Sequence, residues 1–546
     1  MAQHASKWNV VQSISGISAD QTSFLTAPEA EYAIEANGEK VYRNKLRRSF
    51  HPVRFISPIE TMRYPGISVP LNDTATQTHR TTTVRVGENN TMSMHVMKRV
   101  KIVVRCPAVF HEFGQHFFPP LGGSGGETMA AVAAAAAANA HWISRINAWG
   151  ALMLKRVVIQ AVDGSVLMDA SAEFAMVRKY CIQKESVCAE LLGKMPLMQE
   201  IDTLQIESGQ DVEFVYDADL PCSRHPDNLF PVCLLPQGFV AQLEWRRQGE
   251  MFITSDGDEY GAPRPFVIDA QTGRLRPLEQ RDLVATLEVQ CHRIDEAQVT
   301  DLRTRASGAH GLNYKVVQAM LVGEKVVLLQ NDPSEPRERL QQAARDAQDL
   351  LAFSSSSSTE QQVDFSATSV GARTHDILLE PSVGLCRGYI TSYQLLHHRL
   401  RKNWLLYSGA IVGDPAPNEV PTRTDPIDAI GLVLDGTVWG GELVSAERAR
   451  TEGFADHSAQ QIHTNGFFYP ILFADDWDGY DFDISLPHAP QQKRAVRIVR
   501  RAGTPSGVVR VWGLFEDKIT FQLTPQGVMT VRSCFAYKGN PQQQRK

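Results

Sequence analysis

The chain has 546 residues, a net charge of −6, 43% hydrophobic residues and 21% charged residues. This length is too great for one compact core and sufficient for two large β domains, and the ordinary composition excludes wholesale disorder. A protein that neutralises packaged nucleic acid usually has a basic excess or a basic tail. Neither is present, so direct nucleic-acid binding is not expected.

The eight cysteines are scattered, and no two of them form a Cys-x-x-Cys pair. A zinc site or a redox dithiol would require closely spaced thiols, so free thiols in a reducing compartment are expected. The amino terminus lacks the apolar stretch of a signal peptide, and the longest apolar run, residues 130–138, is too short to span a bilayer. These features predict synthesis in the cytosol. The cysteines are Cys106, Cys181, Cys188, Cys222, Cys233, Cys291, Cys386 and Cys534.

Residues 1–75 are predicted to form an extended arm that packs on neighbouring molecules, because prolines break any long element there. From residue 76 to 300 the pattern is that of strands. Val100, Ile102 and Val104 alternate with Lys101 and Arg105, which indicates strands with one face in a core. Further strands are predicted at residues 157–162, 212–216, 239–245 and 283–291.

A hairpin followed by a helix is predicted inside this first β domain. Asp163-Gly164 lies between β-rich flanks, where a tight turn needs positive φ. Ser171 can cap a helix that Gly193 ends.

Residues 301–546 repeat the plan. The second half contains strand patterns at 377–379, 385–393, 496–499, 508–512, 519–523 and 529–535, with a turn at 524–527 between the last two. A second strand, Asp-Gly turn and strand at residues 430–438 is followed by a short helix at 445–450. The two Asp-Gly turns lie about 270 residues apart (positions 163 and 435), which favours tandem duplication of a large sandwich. Residues 331–365 differ from both halves. A helical stretch at 335–351 and five serines at 354–358 predict a surface insertion with a flexible tail.

Four stretches carry a resemblance to a known family. They are residues 84–90 with 103–107, residues 146–160 leading into the first Asp-Gly turn, residues 287–296 followed by 310–318, and residues 425–469. Their order, from about residue 78 to the end, resembles the double jelly-roll major capsid proteins of large eukaryotic (nucleocytoplasmic) DNA viruses of the iridovirus and phycodnavirus kind.

The resemblance implies an all-β protein of two tandem jelly rolls with short helical insertions and an extended amino-terminal arm. It also implies a structural, non-catalytic protein: a homotrimer that forms pseudo-hexagonal capsomers of an icosahedral double-stranded DNA virus. The partners implied are neighbouring capsomers, minor capsid or penton proteins and proteins of an inner viral membrane. The arm and the crossing segment at residues 312–317 would supply part of the contact surface between subunits. A poxvirus-like scaffold protein, which shapes immature particles, has the same trimeric building block and is the alternative.

No catalytic, cofactor-binding or metal-binding residue is predicted. His111 and His116 are five residues apart, whereas a zinc-protease pair is four apart on one helical face. The acidic residues 475–483 lack the spacing of a calcium loop, and a solvated loop is expected, with a cation or an intersubunit arginine as the alternative. No nucleophile or carboxylate pattern accompanies His397-His398.

Two further interpretations concern arginines and a different class of protein. Arg497, Arg500, Arg501 and Arg510 lie on strands, where an exposed face or a contact between tiles is expected. A cupin-type enzyme or a sugar-binding β-sandwich would need a histidine cluster inside a barrel or an aromatic platform in a cleft. Neither pattern is clear in the sequence.

Overall fold

The computed structural model describes residues 59–69, 81–106, 153–175, 212–246, 284–346, 373–409, 424–455, 467–473 and 493–533, apart from gaps within these ranges, together with several isolated short strands. Within these parts of the chain, no helix is long and apolar enough to cross a membrane.

The first half of the chain contains fifteen of the described strands. They are β1 (Glu31–Ile34), β2 (Lys40–Arg43), β3 (Glu60–Ser68), β4 (Thr81–Val86), β5 (His95–Cys106), β6 (Val109–Phe110), β7 (Ile143–Arg145), β8 (Leu154–Ala161), β9 (Val166–Ser171), β10 (Val212–Asp217), β11 (Phe239–Trp245), β12 (Phe252–Thr254), β13 (Arg264–Ile268), β14 (Leu275–Pro277) and β15 (Val284–Arg293). Two short 3₁₀ helices, Pro221–Ser223 and Val232–Leu234, lie between β10 and β11.

The second half contains the remaining described strands and four helices. The strands are β16 (Leu312–Val327), β17 (Thr374–Leu378), β18 (Leu385–Leu395), β19 (Ile427–Leu434), β20 (Thr437–Val438), β21 (Val444–Ser445), β22 (Phe468–Leu472), β23 (Leu486–Pro487), β24 (Arg494–Arg500), β25 (Gly507–Leu523) and β26 (Met529–Ser533). The helices are α1 (Glu296–Ala306), α2 (Arg337–Asp346), α3 (Leu396–Leu400) and α4 (Ala446–Ala455).

Eight strands of the first half form a jelly roll. One antiparallel sheet has the order β10-β5-β15-β3, and the other has the order β4-β11-β8-β9. If the eight strands are lettered B to I along the chain, these orders are G-D-I-B and C-H-E-F, which is the arrangement of a jelly roll. The inner faces pack as the alternation predicts: Ile102 and Val104 of one sheet and Val157 and Ile159 of the other are fully buried in one cluster.

The second half forms a jelly roll with the same strand order. Its sheets are β16-β25-β18-β22 and β17-β24-β19-β20, which again read B-I-D-G and C-H-E-F. The prediction of two tandem jelly rolls is therefore confirmed. Strand β3 pairs with β15, so the first jelly roll includes residues 60–68, which the sequence analysis placed in the arm. The division at residues 75 and 300 otherwise stays a prediction.

The two Asp-Gly hairpins form by different turns. Asp435 and Gly436 have φ values of 49° and 88°, so both central residues are left-handed, as a two-residue type I′ turn requires. At the first hairpin only Gly164 is left-handed, with φ of 87°. There the Asp163 carboxylate accepts a hydrogen bond of 2.8 Å from the Ser165 amide, which closes a longer turn.

After each hairpin, a serine side chain caps the start of the following helix. The Ser445 hydroxyl accepts a hydrogen bond of 3.2 Å from the Arg448 amide at the start of α4, so the second predicted helix is confirmed. The Ser171 hydroxyl accepts one of 3.4 Å from the Phe174 amide. The chain is helical from residue 172 to 175, and the rest of that predicted helix lies outside the described residues.

Helix α1 leads from the first jelly roll to the second. Asp295 and Gln298 form a reciprocal capping box at its start, which fixes where the chain leaves β15. Helix α2 lies in the predicted insertion, and its Leu340 packs in a small buried cluster with Leu396 and Val508 of the second jelly roll. The serines at 354–358 lie outside the described residues.

Candidate functional site

The sheet β16-β25-β18-β22 is buried on both of its faces. Along β25, Val509 and Val511 belong to the core of the second jelly roll, whereas Trp512 and Leu514 belong to a cluster shared with the first. Residues 508–515 are all buried. A strand that is covered on both faces has a nearly continuous apolar run, and the run at residues 508–515, which only Arg510 interrupts, is the sequence signal from which the junction could have been found.

Aromatic contacts join the two jelly rolls at this sheet. The ring of Phe230, from the first jelly roll, lies 5.3 Å from Tyr314 and 5.6 Å from Phe521 of the second. Phe174 and Trp512 have their ring centroids 6.5 Å apart. Edge-on and tilted pairs at such distances add to the free energy gained from burial alone.

A buried ionic group crosses the same junction. Arg510 on β25 is 2% exposed, and its Nε donates a hydrogen bond of 2.9 Å to Glu324 on the neighbouring strand β16. Its Nη1 donates to Glu173, which belongs to the first jelly roll. Near this group, the Gln318 amide on β16 donates a hydrogen bond of 3.3 Å to the Leu167 carbonyl on β9. The guanidinium thus links two acidic side chains from different jelly rolls.

The arginine cluster predicted from sequence does not form one exposed face. Arg500 and Arg510 are buried, so the expectation was wrong for them: they satisfy groups inside the chain, and Arg500 donates to the Thr504 carbonyl. Arg497 is more exposed and makes two hydrogen bonds to Asp376, of 2.6 and 2.7 Å. These bonds hold the pKa of the Asp376 carboxyl below its ordinary value.

The crossing segment at residues 312–317 was also expected at a contact between subunits. This was wrong for Leu312 and Tyr314, and for residues 315–317 it stays a prediction. Leu312 and Tyr314 are buried within a single chain, where they pack in the cluster that both jelly rolls share. These two residues hold the two domains of one chain together.

Asp425 anchors helix α4 to the second jelly roll. Its carboxylate accepts hydrogen bonds from the Ile427 amide at 3.0 Å and from the Tyr469 hydroxyl, and it lies 2.7 Å from Arg450 Nη2 on α4. The Arg450 guanidinium also lies 4.7 Å from the centroid of the Phe467 ring. Burial, followed by the neighbouring Asp425 carboxylate, raises the pKa of Tyr469 well above its ordinary value. The cluster therefore holds a neutral phenol that donates to a carboxylate.

The geometry of the described residues does not support the metal-binding and catalytic alternatives that were considered from the sequence. His397 lies 3.1 Å from the Glu335 carboxylate, and its ring packs edge-on against His398, so both belong to the packing of α3. No group of three or more His, Cys, Asp or Glu side chains that could hold a metal occurs in the part of the chain that the structure describes. His111, His116 and the acidic residues 475–483 lie outside it.

The side chains of four of the eight cysteines are described, and all four are buried free thiols: Cys222, Cys233, Cys291 and Cys386. Burial raises the pKa of Cys233 to about 12 and that of Cys386 to about 11. Because the thiolate is the reactive form, these thiols are inert at neutral pH and act as small apolar side chains.

Comparison with solved structures identifies the fold. A quasi-atomic model of the PBCV-1 virus capsid superposes with a TM-score of 0.51 at 7% sequence identity, covering 87% of this chain and 96% of that chain. The PBCV-1 VP54 crystal structure, fitted into a reconstruction of the virophage Sputnik, gives 0.50 at 8% identity over the same shares. Both are structural capsid proteins and not enzymes. At this identity the likeness shows a common fold, so the predicted resemblance is confirmed at the level of fold. No protein-family model and no curated protein matches the chain.

Proposed function

We propose that this chain is a structural capsid protein whose three copies form the pseudo-hexagonal capsomer of an icosahedral double-stranded DNA virus. The observation that carries the proposal is the pairing of two jelly rolls with one strand order through a sheet buried on both faces. Two fixed barrels per chain and three chains around an axis give six similar barrels and a nearly hexagonal tile. Such tiles close-pack into a shell.

The remaining parts of the proposal follow from this role. Within residues 1–75, the part that precedes β3 forms an arm that packs on neighbours. Strand β3 with residues 76–300 forms the first barrel and residues 301–546 form the second, and the assembled protein resides in the virion after synthesis in the host cytoplasm. Its partners are two further copies, neighbouring capsomers, minor capsid or penton proteins and proteins of an inner viral membrane. Obligate contacts of this kind usually bury more than about 2,000 Å². The chain carries out no catalysis and needs no cofactor.

Mass spectrometry of purified mature particles, combined with electron microscopy, tests the role. The proposal expects this chain to be the most abundant protein of the particle. Its presence in immature particles and its loss on maturation would contradict the proposal and indicate a poxvirus-like scaffold. Stoichiometric zinc, iron or manganese in the purified chain would instead indicate a cupin-type metalloprotein.

A further inference from the structure

The hairpin-to-helix segments of the two jelly rolls are counterparts. When they are aligned on their Asp-Gly turns, Leu167 and Trp439 are each the third residue after the turn glycine, and the second segment has two more residues than the first between this position and its helix cap, Ser171 or Ser445. The Ser-Ala-Glu sequence at residues 171–173 recurs at residues 445–447, and in both copies the serine hydroxyl caps a helix. Each feature of the first segment therefore has an identifiable equivalent in the second.

In the first jelly roll this segment is covered by the second. Leu167 is fully buried, and its carbonyl accepts the hydrogen bond from Gln318 on β16. Glu173 pairs with Arg510 on β25. The segment thus docks on the outer face of the sheet β16-β25-β18-β22, the face that points away from the core of the second jelly roll.

In the second jelly roll the equivalent segment is more exposed. Trp439 packs edge-on against Phe473 with 5.3 Å between the ring centroids, yet 48% of its surface is exposed. Glu447, the equivalent of Glu173, is exposed. A half-exposed tryptophan held in place by a second ring is typical of the anchor residues of protein interfaces.

A matching outer face exists on the first jelly roll. In its sheet β10-β5-β15-β3, the registers place Asp217, Lys101, Glu288 and Arg63 in one row across the four strands. Val215, two residues before Asp217 on the edge strand β10, is 46% exposed. The row combines both signs of charge, and its exposure rises across the sheet: Asp217 is 7% exposed, whereas the side chain of Arg63 at the opposite edge is 71% exposed.

Arg63 corresponds to Arg510 in its chemistry. Arg510 binds Glu324 of its own sheet and Glu173 of the adjoining jelly roll. Arg63 binds Glu288 of its own sheet at 3.0 Å, and 71% of its side chain is exposed. Because a guanidinium has five donor hydrogens, Arg63 can bind a second carboxylate as Arg510 does.

We propose that this outer face binds the β19–β20 hairpin and the start of α4 of a second copy of the chain. Trp439 is the apolar anchor, and Glu447 pairs with Arg63 of the other copy. The contact between chains thereby repeats the contact within a chain. The inference rests on the proposed function, since each chain then offers one hairpin and one face, and three such head-to-tail contacts close a ring.

Sedimentation of the purified full chain and four variants tests the surface. Trp439→Ser and Glu447→Arg should each weaken the trimer, and for Trp439→Ser the loss should be about tenfold or more in the dissociation constant. The matched control is Val528→Ser, because Val528 is 59% exposed in the turn between β25 and β26 and belongs to neither of the two surfaces. It should leave the trimer unchanged. The double variant Glu447→Arg with Arg63→Glu should restore part of the affinity that Glu447→Arg loses.

The outcomes separate this inference from the proposed function. A wild-type trimer that persists with unchanged affinity in both Trp439→Ser and Glu447→Arg overturns the surface and leaves the capsid role intact. A wild-type chain that stays monomeric at every concentration overturns both. If Trp439→Ser fails to fold, as circular dichroism would show, Glu447→Arg and its rescue decide the question, because Glu447 lies on the exposed side of α4.

Discussion

At the residue scale, Arg510 is the side chain on which the junction between the two jelly rolls depends most. It is buried between Glu324 and Glu173, so one positive charge compensates two carboxylates of which Glu324 is itself buried. Removing the guanidinium would leave acidic groups in a water-poor junction without their donor. Loss of one member of a buried ionic group costs more than the group contributes as a whole.

We expect Arg510→Met to lower the free energy of unfolding by about 3–5 kcal/mol. Urea denaturation of the purified chain measures it. Arg501→Met is the matched control, because Arg501 binds Asp428 at 2.9 Å in a half-exposed pair, where the expected cost is about 0–1 kcal/mol. Equal losses in the two variants would contradict the role given to Arg510.

The carboxyl group of Asp332 makes a contact at the start of β25 that we expect to be sensitive to acid. Burial raises the pKa of its carboxyl, but hydrogen bonds from Ser334 and Ser506 outweigh burial, so the net pKa lies below the ordinary value. The two amides lie 2.8 and 2.6 Å from its oxygens. A carboxyl with a depressed folded pKa stabilises the protein above its unfolded pKa, about 3.9, and this contribution is lost as pH falls through the folded pKa.

The free energy of unfolding should therefore decrease as pH falls below about 4, and Asp332→Asn should reduce the slope. Urea denaturation at a series of pH values provides the measurement. An identical slope in Asp332→Asn would show that this carboxyl does not contribute to the acid sensitivity.

At the scale of single elements, the sequence predicts the strands and turns that are determined by residues close together in the chain. The buried residues Val100, Ile102 and Val104 alternate with less buried neighbours because β5 has one face in a core, so their strand could be predicted. The Asp-Gly turns could be predicted because positive φ restricts the residue types. The pairing of Glu173 with Arg510 could not, because the two residues are 337 positions apart and only the packed fold brings them together.

The candidate assembly surface was equally hidden in the sequence. The sequence around Trp439 does not indicate an interface. Its exposure suggests one only when the structure shows that Leu167, its equivalent, is buried. Arg63 lies in the region predicted as an arm, and the pairing of β3 with β15 places it on a sheet face. The roles of Trp439 and Arg63 depend on strand register and on burial, and neither property can be read from a single sequence.

The turn between β19 and β20 gives a prediction at this scale. Gly436 has φ of 88°, and a Cβ at this position would meet no atom within 4 Å, so a substitution there changes backbone strain alone. Gly436→Ala should cost about 1–2 kcal/mol of unfolding free energy. Gly436→Asn, which tolerates the left-handed region better, should cost less. Thermal and urea unfolding distinguish the two, and an equal cost would contradict the assignment of strain.

At the scale of the whole molecule, the two jelly rolls share one buried cluster that includes Phe230 of the first and Tyr314 and Phe521 of the second. Domains joined by a large apolar interface are expected to move and unfold together, whereas small polar interfaces allow independent motion. We therefore expect the two jelly rolls of the described chain to move as one rigid unit, which is the property a shell tile requires.

We expect a single cooperative unfolding transition in calorimetry and a loss of about 3–5 kcal/mol in Phe230→Ala. Hydrogen exchange should show that this variant loses protection in both β5 and β24, although Phe230 belongs to the first jelly roll only. Two separate transitions in the wild type, or loss of protection confined to β5, would contradict the shared core.

The most direct test of the central claim is cryo-electron microscopy of the assembly that the purified full-length chain forms in solution. The account predicts a plate of three chains in which six similar β-barrels surround one axis, with neighbouring chains meeting through the outer face of the sheet β10-β5-β15-β3. A monomer, or an assembly in which the two barrels of a chain do not alternate around a common axis, would contradict it.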